Sequence, residues 1–172
     1  MKKLIIALIT TSVMLTSCAT VQSVIKSTFP YTSTLNLYSG AKSDVALSST
    51  STTSSFDQIF GNQNGTSYIR EVRVASVRLD ASNPSNQSLG IFKSIKLYIV
   101  NGSAEVMVAS RSDIAENIGN NLVLDIDNSR LLDDYIKGSN LKVRMEYVLR
   151  NSLTSDVSVR AAINFSSLPN PK

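Results

Sequence analysis

Few residues of this chain can do chemistry, and their types limit what that chemistry could be. The chain has no histidine, the commonest general base and the usual metal ligand. One thiol, Cys18, is the only cysteine, so a disulfide within the chain is excluded. Carboxylates are densest at Asp125-Ile126-Asp127-Asn128-Ser129, followed by Asp133 and Asp134. Oxygen ligands at alternating positions suit calcium, and Asp125, Asp127, Ser129 and Asp133 fall at positions one, three, five and nine of an EF-hand-type loop. Arg130 stands where the turn glycine belongs, and Ile136 where the bidentate glutamate belongs. The alternative is that Asp125 and Asp127 face solvent while Asp133 and Asp134 complement a helix N-terminus. Arg70, Arg73 and Arg78, with Lys93 and Lys96 on the following strand, could form a basic face for anionic head groups or an acidic partner. Glu71 and Asp80 interrupt it, as on any solvated sheet face.

The surroundings of Cys18 are more specific. Lys2 and Lys3 form a positive start, Leu4 to Leu15 a short apolar run, and Thr16 and Ser17 lead to the cysteine. That is the layout of a secretory signal peptide, too short and wrongly flanked for a spanning helix. Leu15-Thr16-Ser17-Cys18 resembles the lipobox of bacterial lipoproteins. The resemblance implies a diacylglyceryl group on the Cys18 thiol, cleavage before Cys18 and N-acylation of the new amine. Two or three acyl chains anchor a protein stably where one does not, since each buried methylene contributes about 0.8 kcal/mol. Ala19 stands where an aspartate would signal inner-membrane retention, which implies the outer membrane. No acidic cluster follows the cysteine, which favours the periplasmic face over the cell surface. The alternative for Cys18 is an unmodified thiol, and a core position so soon behind an apolar leader is a poor place for one.

The elements behind the anchor read as one domain. Removing residues 1–17 from 172 leaves 155, enough to bury a core unaided. Loss of Lys2 and Lys3 leaves 15 basic against 13 acidic residues, a balance of +2. With no run of Lys or Arg, nucleic acid is not an expected partner. Residues 18–30 read as the lipidated cysteine and a tether ending at Pro30, and residues 31–172 as the domain.

From Tyr31 onward the apolar residues recur with period two, the mark of half-buried strands. Ser48 to Ser55 reads as an edge strand fading into a mobile loop, with a partner-binding loop as the alternative. Phe56 to Phe60 reads as a single helical turn. Tyr68 to Asp80 is a long strand whose apolar phase changes near Val74-Ala75, which predicts a bulge and passage between two sheets. Asn101-Gly102-Ser103 predicts a hairpin. Short helices are predicted over Ser112 to Gly119, and from Asn128 or Ser129 through Ile136 to a stop at Gly138. Leu141 to Leu149 and Val157 to Phe165 carry matching in-phase residues and predict a second hairpin. The turn Asn83-Pro84 and the strand end Tyr98-Ile99-Val100-Asn101-Gly102 resemble the desiccation-related LEA14-like β-sandwich domains over about a sixth of the chain.

The expected fold is all-β: an antiparallel two-sheet β-sandwich of about eight strands with one or two short helices, or alternatively a closed β-barrel. The leading expectation for function is a membrane-anchored lipoprotein acting as a non-catalytic binding or structural module of the cell envelope. Membrane lipid engages the anchor, an envelope protein or glycan is the partner, and no cofactor is expected beyond the covalent lipid on Cys18. A carrier of lipid or another hydrophobic ligand held between the sheets is the alternative. A carboxylate-based enzyme ranks third.

Overall fold

The computed structural model describes residues 27–57 and 65–170. Cys18, the segment read as a signal peptide, most of the segment read as a tether and Gln58 to Phe60 lie outside the described residues. Eight strands follow one another: β1 (Ser27–Leu37), β2 (Ala46–Thr50), β3 (Ile69–Asn83), β4 (Phe92–Asn101), β5 (Ala104–Arg111), β6 (Asn121–Ile126), β7 (Leu141–Leu149) and β8 (Val157–Pro169). Among the described residues one α-helical turn, α1 (Asp133–Ile136), precedes β7, and 3-10 turns cover Gly65–Tyr68 and Leu89–Ile91. The fold is all-β, as the periodicity requires.

The pairing follows a simple rule. The tight hairpin β4·β5 turns at Asn101–Ala104, with Gly102 supplying the left-handed φ of +61°. Around it nest β3·β6, β2·β7 and β1·β8, all antiparallel and each joining strands farther apart in sequence. The chain is thus one long hairpin whose rolling adds the pairs β3·β8 and β4·β7. The result is two four-stranded layers, β1-β8-β3-β6 and β2-β7-β4-β5, which is jelly-roll order. Between β5 and β6 the layers are joined by the pairs Ala109↔Ile126 and Ser110↔Asp125. Along the opposite seam β1 and β2 form no ladder, and Ser49 Oγ donates to the Asn36 carbonyl across it at 2.8 Å. The sheet is therefore curled into a sandwich and not closed into a barrel.

Inward residues of both layers make one core. On β7, Leu141, Val143, Met145, Tyr147 and Leu149 are buried, and on β8 Val157, Val159, Ala161, Ile163 and Phe165 are buried. Leu97 and Ile99 of β4 join the same cluster. Phe56 packs edge-on against Phe165 with centroids 5.1 Å apart, and Phe92 meets Tyr147 likewise at 5.6 Å.

Several expectations need correction. β7 and β8 do not pair: β7 lies between β4 and β2, and β8 between β1 and β3. Period two says which face of a strand is buried and nothing about its neighbour, so two strands facing each other across a core look like a hairpin. Residues 150–156 arch between the layers instead, held by Leu153 N–H to Ala41 O at 3.0 Å and Gly40 N–H to Leu153 O at 2.9 Å. Ser112 to Gly119 is a loop, not a helix. Its Ile114 is buried and Arg150 ties it down, donating through Nε to Gly90 O at 3.0 Å and through a terminal nitrogen to Ile114 O. The strand β1 begins at Ser27, inside the segment read as tether, because Pro30 sits on an edge strand where its missing N–H costs no ladder bond. The bulge predicted near Val74-Ala75 is present, between Val74 and Ser76, and β3 has further register shifts that were not predicted, between Arg70 and Arg73 and between Ala81 and Asn83. They keep β3 within one layer rather than carrying it across to the other.

Candidate functional site

Each candidate residue takes its place from these strands. Cys18 lies outside the described residues, nine residues before Ser27, where β1 starts. At that end of the molecule Ser27 of β1 stands opposite Ser167 of β8, while Pro169 of β8 stands opposite Ile69 of β3. Asn170 N–H donates to Tyr68 O at 2.8 Å, fixing Tyr68 at the same end.

The three acidic candidates do not converge. Asp125 pairs with Arg111 of β5 at 3.3 Å. Asp127 accepts from Ser129 Oγ at 2.6 Å and from Ser129 N–H at 3.0 Å. These bonds from Ser129 hold the Asp127 carboxyl below the ordinary carboxylate range. Asp133 turns toward β3, where its two oxygens accept Glu71 N–H at 2.9 Å and Val72 N–H at 3.1 Å. Among the described residues no group of three or more acidic side chains is gathered as a metal would need. The same geometry corrects the capping expectation: Leu132, not Asn128 or Ser129, precedes α1, and Asp133 caps a strand bulge instead of a helix.

Asp133 thereby explains an irregularity in β3. At the first bulge Glu71 adopts φ +54°, a left-handed conformation that costs a non-glycine residue about 1–2 kcal/mol. Charge-assisted bonds from the Asp133 carboxylate offset that cost. Leu132 N–H donates to Val72 O at 2.8 Å, completing a three-bond clasp between α1 and β3.

The basic candidates are divided between the two layers. Arg70, Arg73 and Arg78 belong to β3, whose neighbours are β8 and β6; Lys93 and Lys96 belong to β4, whose neighbours are β5 and β7. β3 and β4 lie in opposite layers, so the five cannot form one face. Each also has a local partner. Arg70 pairs with Glu71 at 2.9 Å, and Arg78 with Asp80 at 3.2 Å. Arg73 donates to Asn128 O at 2.7 Å and to Ser129 O at 2.9 Å. Lys93 pairs with Asp44, and Lys96 with Glu146 at 3.3 Å. On the outer face of the second layer Arg144 bonds Glu105, which raises its pKa further, and lies 4.2 Å from the Tyr98 ring centroid.

A groove absent from the sequence reading lies along the open β1/β2 seam. It encloses about 250 Å³ and is lined by Tyr31, Thr32, Thr34, Thr52, Ser54 and Arg160. The Tyr31 hydroxyl is hydrogen-bonded to Ser54 Oγ, and Arg160 reaches Asp80 at 3.3 Å. The polar tract holding Thr52 and Ser54 is stitched to β7, not loose: Ser51 Oγ accepts Val143 N–H at 3.0 Å, and Ser54 and Leu141 exchange backbone bonds of 2.9 and 3.0 Å. The only advance signal was composition, which marks a polar tract but not its partner.

Among the described residues no helix is long and apolar enough to cross a membrane. No family model matches the chain, and no curated protein matches it by sequence. Among solved structures it is similar to a chain of the cyanophage Pam1 capsid asymmetric unit, with a TM-score of 0.44, 11% identity, and coverage of 82% of this chain and 85% of that one. It is similar to a turnip yellow mosaic virus structure at TM-score 0.31 and 10% identity, covering 86% and 96%. For a tomato aspermy virus structure the values are 0.32 and 12%, covering 83% and 79%.

Proposed function

We propose that the chain is a membrane-anchored lipoprotein serving as a non-catalytic binding or structural module of the cell envelope. The observation that carries this reading is Leu15-Thr16-Ser17-Cys18 at the end of a charged and then apolar leader. Its spacing to the domain supports it: β1 begins at Ser27, so a peptidase acting before Cys18 spares every strand. The non-catalytic part is supported by how the candidate acids are used, since Asp125 is held by an arginine, Asp127 by Ser129 and Asp133 by a strand bulge. Ala19 supports placement in the outer membrane, and the lack of an acidic cluster after Cys18 supports the periplasmic face.

Acyl-lipid labelling and mass spectrometry of the N-terminal peptide test the anchor. The mature chain is expected to begin at Cys18 carrying diacylglyceryl and N-acyl groups, and Cys18→Ser is expected to abolish labelling and block cleavage while leaving the domain folded. A mature chain beginning elsewhere, or a free thiol at Cys18, overturns the reading. Capture of the lipoprotein from membranes tests the module: recovery with an envelope protein or glycan is expected, and recovery always alone counts against it.

A further inference from the structure

The end of the sandwich where the chain enters carries a surface suited to a bilayer. Tyr68, 62% exposed, and Leu131, 48% exposed, lie at this end. Tyr68 is fixed beside Asn170, and Leu131 beside the Leu132–Val72 bond. Exposed Arg130 accompanies them, together with two ion pairs, Arg70 with Glu71 at 2.9 Å and Lys137 with Asp134 at 3.3 Å. An amphipathic tyrosine, an aliphatic side chain and flexible cations are the residue types that settle at the head-group level of a membrane.

The length of chain before β1 sets the geometry. From Cys18 to Ser27 are nine residue steps, which fully extended span at most about 32 Å. The ten residue steps of β1 run about 34 Å away from that entry point. The far end, with exposed Tyr38 and Val45, therefore touches the bilayer end-on only if the tether runs back along β1 almost fully extended. The entry end is within reach at any tether extension.

We propose that this end, centred on Tyr68 and Leu131, docks on the phospholipid head groups of the membrane that holds Cys18, so that β1 rises from the bilayer and the far end is presented to the aqueous compartment. This rests on the lipid-anchor reading above. Arg130 meets lipid phosphates, and Tyr68 and Leu131 enter the interfacial layer.

The absence of tryptophan from the chain provides a clean probe. Single indole reporters are introduced as Tyr68→Trp, Tyr38→Trp and Val123→Trp, the last on the outer face of β6, in the membrane-extracted protein. Each is reconstituted into phosphatidylethanolamine–phosphatidylglycerol vesicles containing brominated lipid. Emission from the Tyr68→Trp variant is expected to shift to the blue and to be mostly quenched by bromines near the head groups. Emission from the Tyr38→Trp and Val123→Trp variants is expected to stay unchanged. Equal quenching in all three variants, or none in Tyr68→Trp, overturns the proposal. Mass spectrometry of the same preparation reports on Cys18 separately. If Cys18 carries no lipid, the anchor reading falls, and the full chain coupled through Cys18 to a maleimide phospholipid still decides whether this end seats on a bilayer.

Discussion

Replacing Asp133 by alanine tests whether that carboxylate is structural. The substitution leaves Glu71 N–H and Val72 N–H without their acceptor. Glu71 is exposed, so water replaces its bond and the loss there is about 0.5 kcal/mol. Val72 is fully buried, and orphaning its N–H costs about 1.5–2 kcal/mol. The expected destabilisation is about 2–2.5 kcal/mol, which in a domain of this size lowers Tm by roughly 4–10 °C. Asp133→Asn keeps one acceptor oxygen and should recover about 1 kcal/mol of that. Glu71→Gly, which adopts φ +54° without strain, should make the alanine substitution less costly, with a coupling of about 1 kcal/mol in a double-mutant cycle. Urea denaturation of the four variants gives each value. Calcium and chelator titrations accompany it, and neither should move the wild-type midpoint. An Asp133→Ala variant within about 0.5 kcal/mol of wild type, or a calcium-dependent gain in stability lost with Asp133, would refute the structural role.

Three further perturbations probe other joints. A Cβ at Gly90 would lie 1.9 Å from the Glu116 carbonyl oxygen and 2.7 Å from its Cα, so Gly90→Ala should displace the 112–119 loop; a loss of about 3 kcal/mol or more is expected by denaturation. Ser51→Ala removes the acceptor of the buried Val143 N–H and should cost about 1–3 kcal/mol, while Ser51→Thr should retain most of it, as thermal unfolding of both variants will report. Burial raises the Tyr147 phenol above its ordinary pKa, so the folded state holds that proton more tightly than the unfolded chain does. The corresponding stability is fully present below the unfolded value near pH 10 and is lost as pH rises through the higher folded value. Tyr147→Phe should flatten this alkaline decline, and an unchanged pH profile would contradict it.

How much of this was legible in the sequence depends on how local the determining physics is. The all-β class and the buried faces of β7 and β8 follow from period two, because alternation along one strand decides which side chains leave water. The β4·β5 hairpin follows from Asn101-Gly102, where a left-handed φ needs a permissive residue. The phase change in Tyr68 to Asp80 marked the bulge between Val74 and Ser76, since an extra residue is what restores an inward face.

Strand partners were not legible. Leu141 to Leu149 and Val157 to Phe165 satisfy the same alternation whether they pair or face each other across the core, and only the rolling of the whole hairpin put them in opposite layers. That rolling also separated Arg70, Arg73 and Arg78 from Lys93 and Lys96, and closed Ser112 to Gly119 into a loop under Arg150. It turned Asp133 from a candidate ligand into the acceptor of two strand N–H groups some 60 residues away. Alternation and turn chemistry act over a few residues and are written in the sequence. Which edge meets which, and where a long side chain finds its partner, is decided by the packing of all eight strands at once.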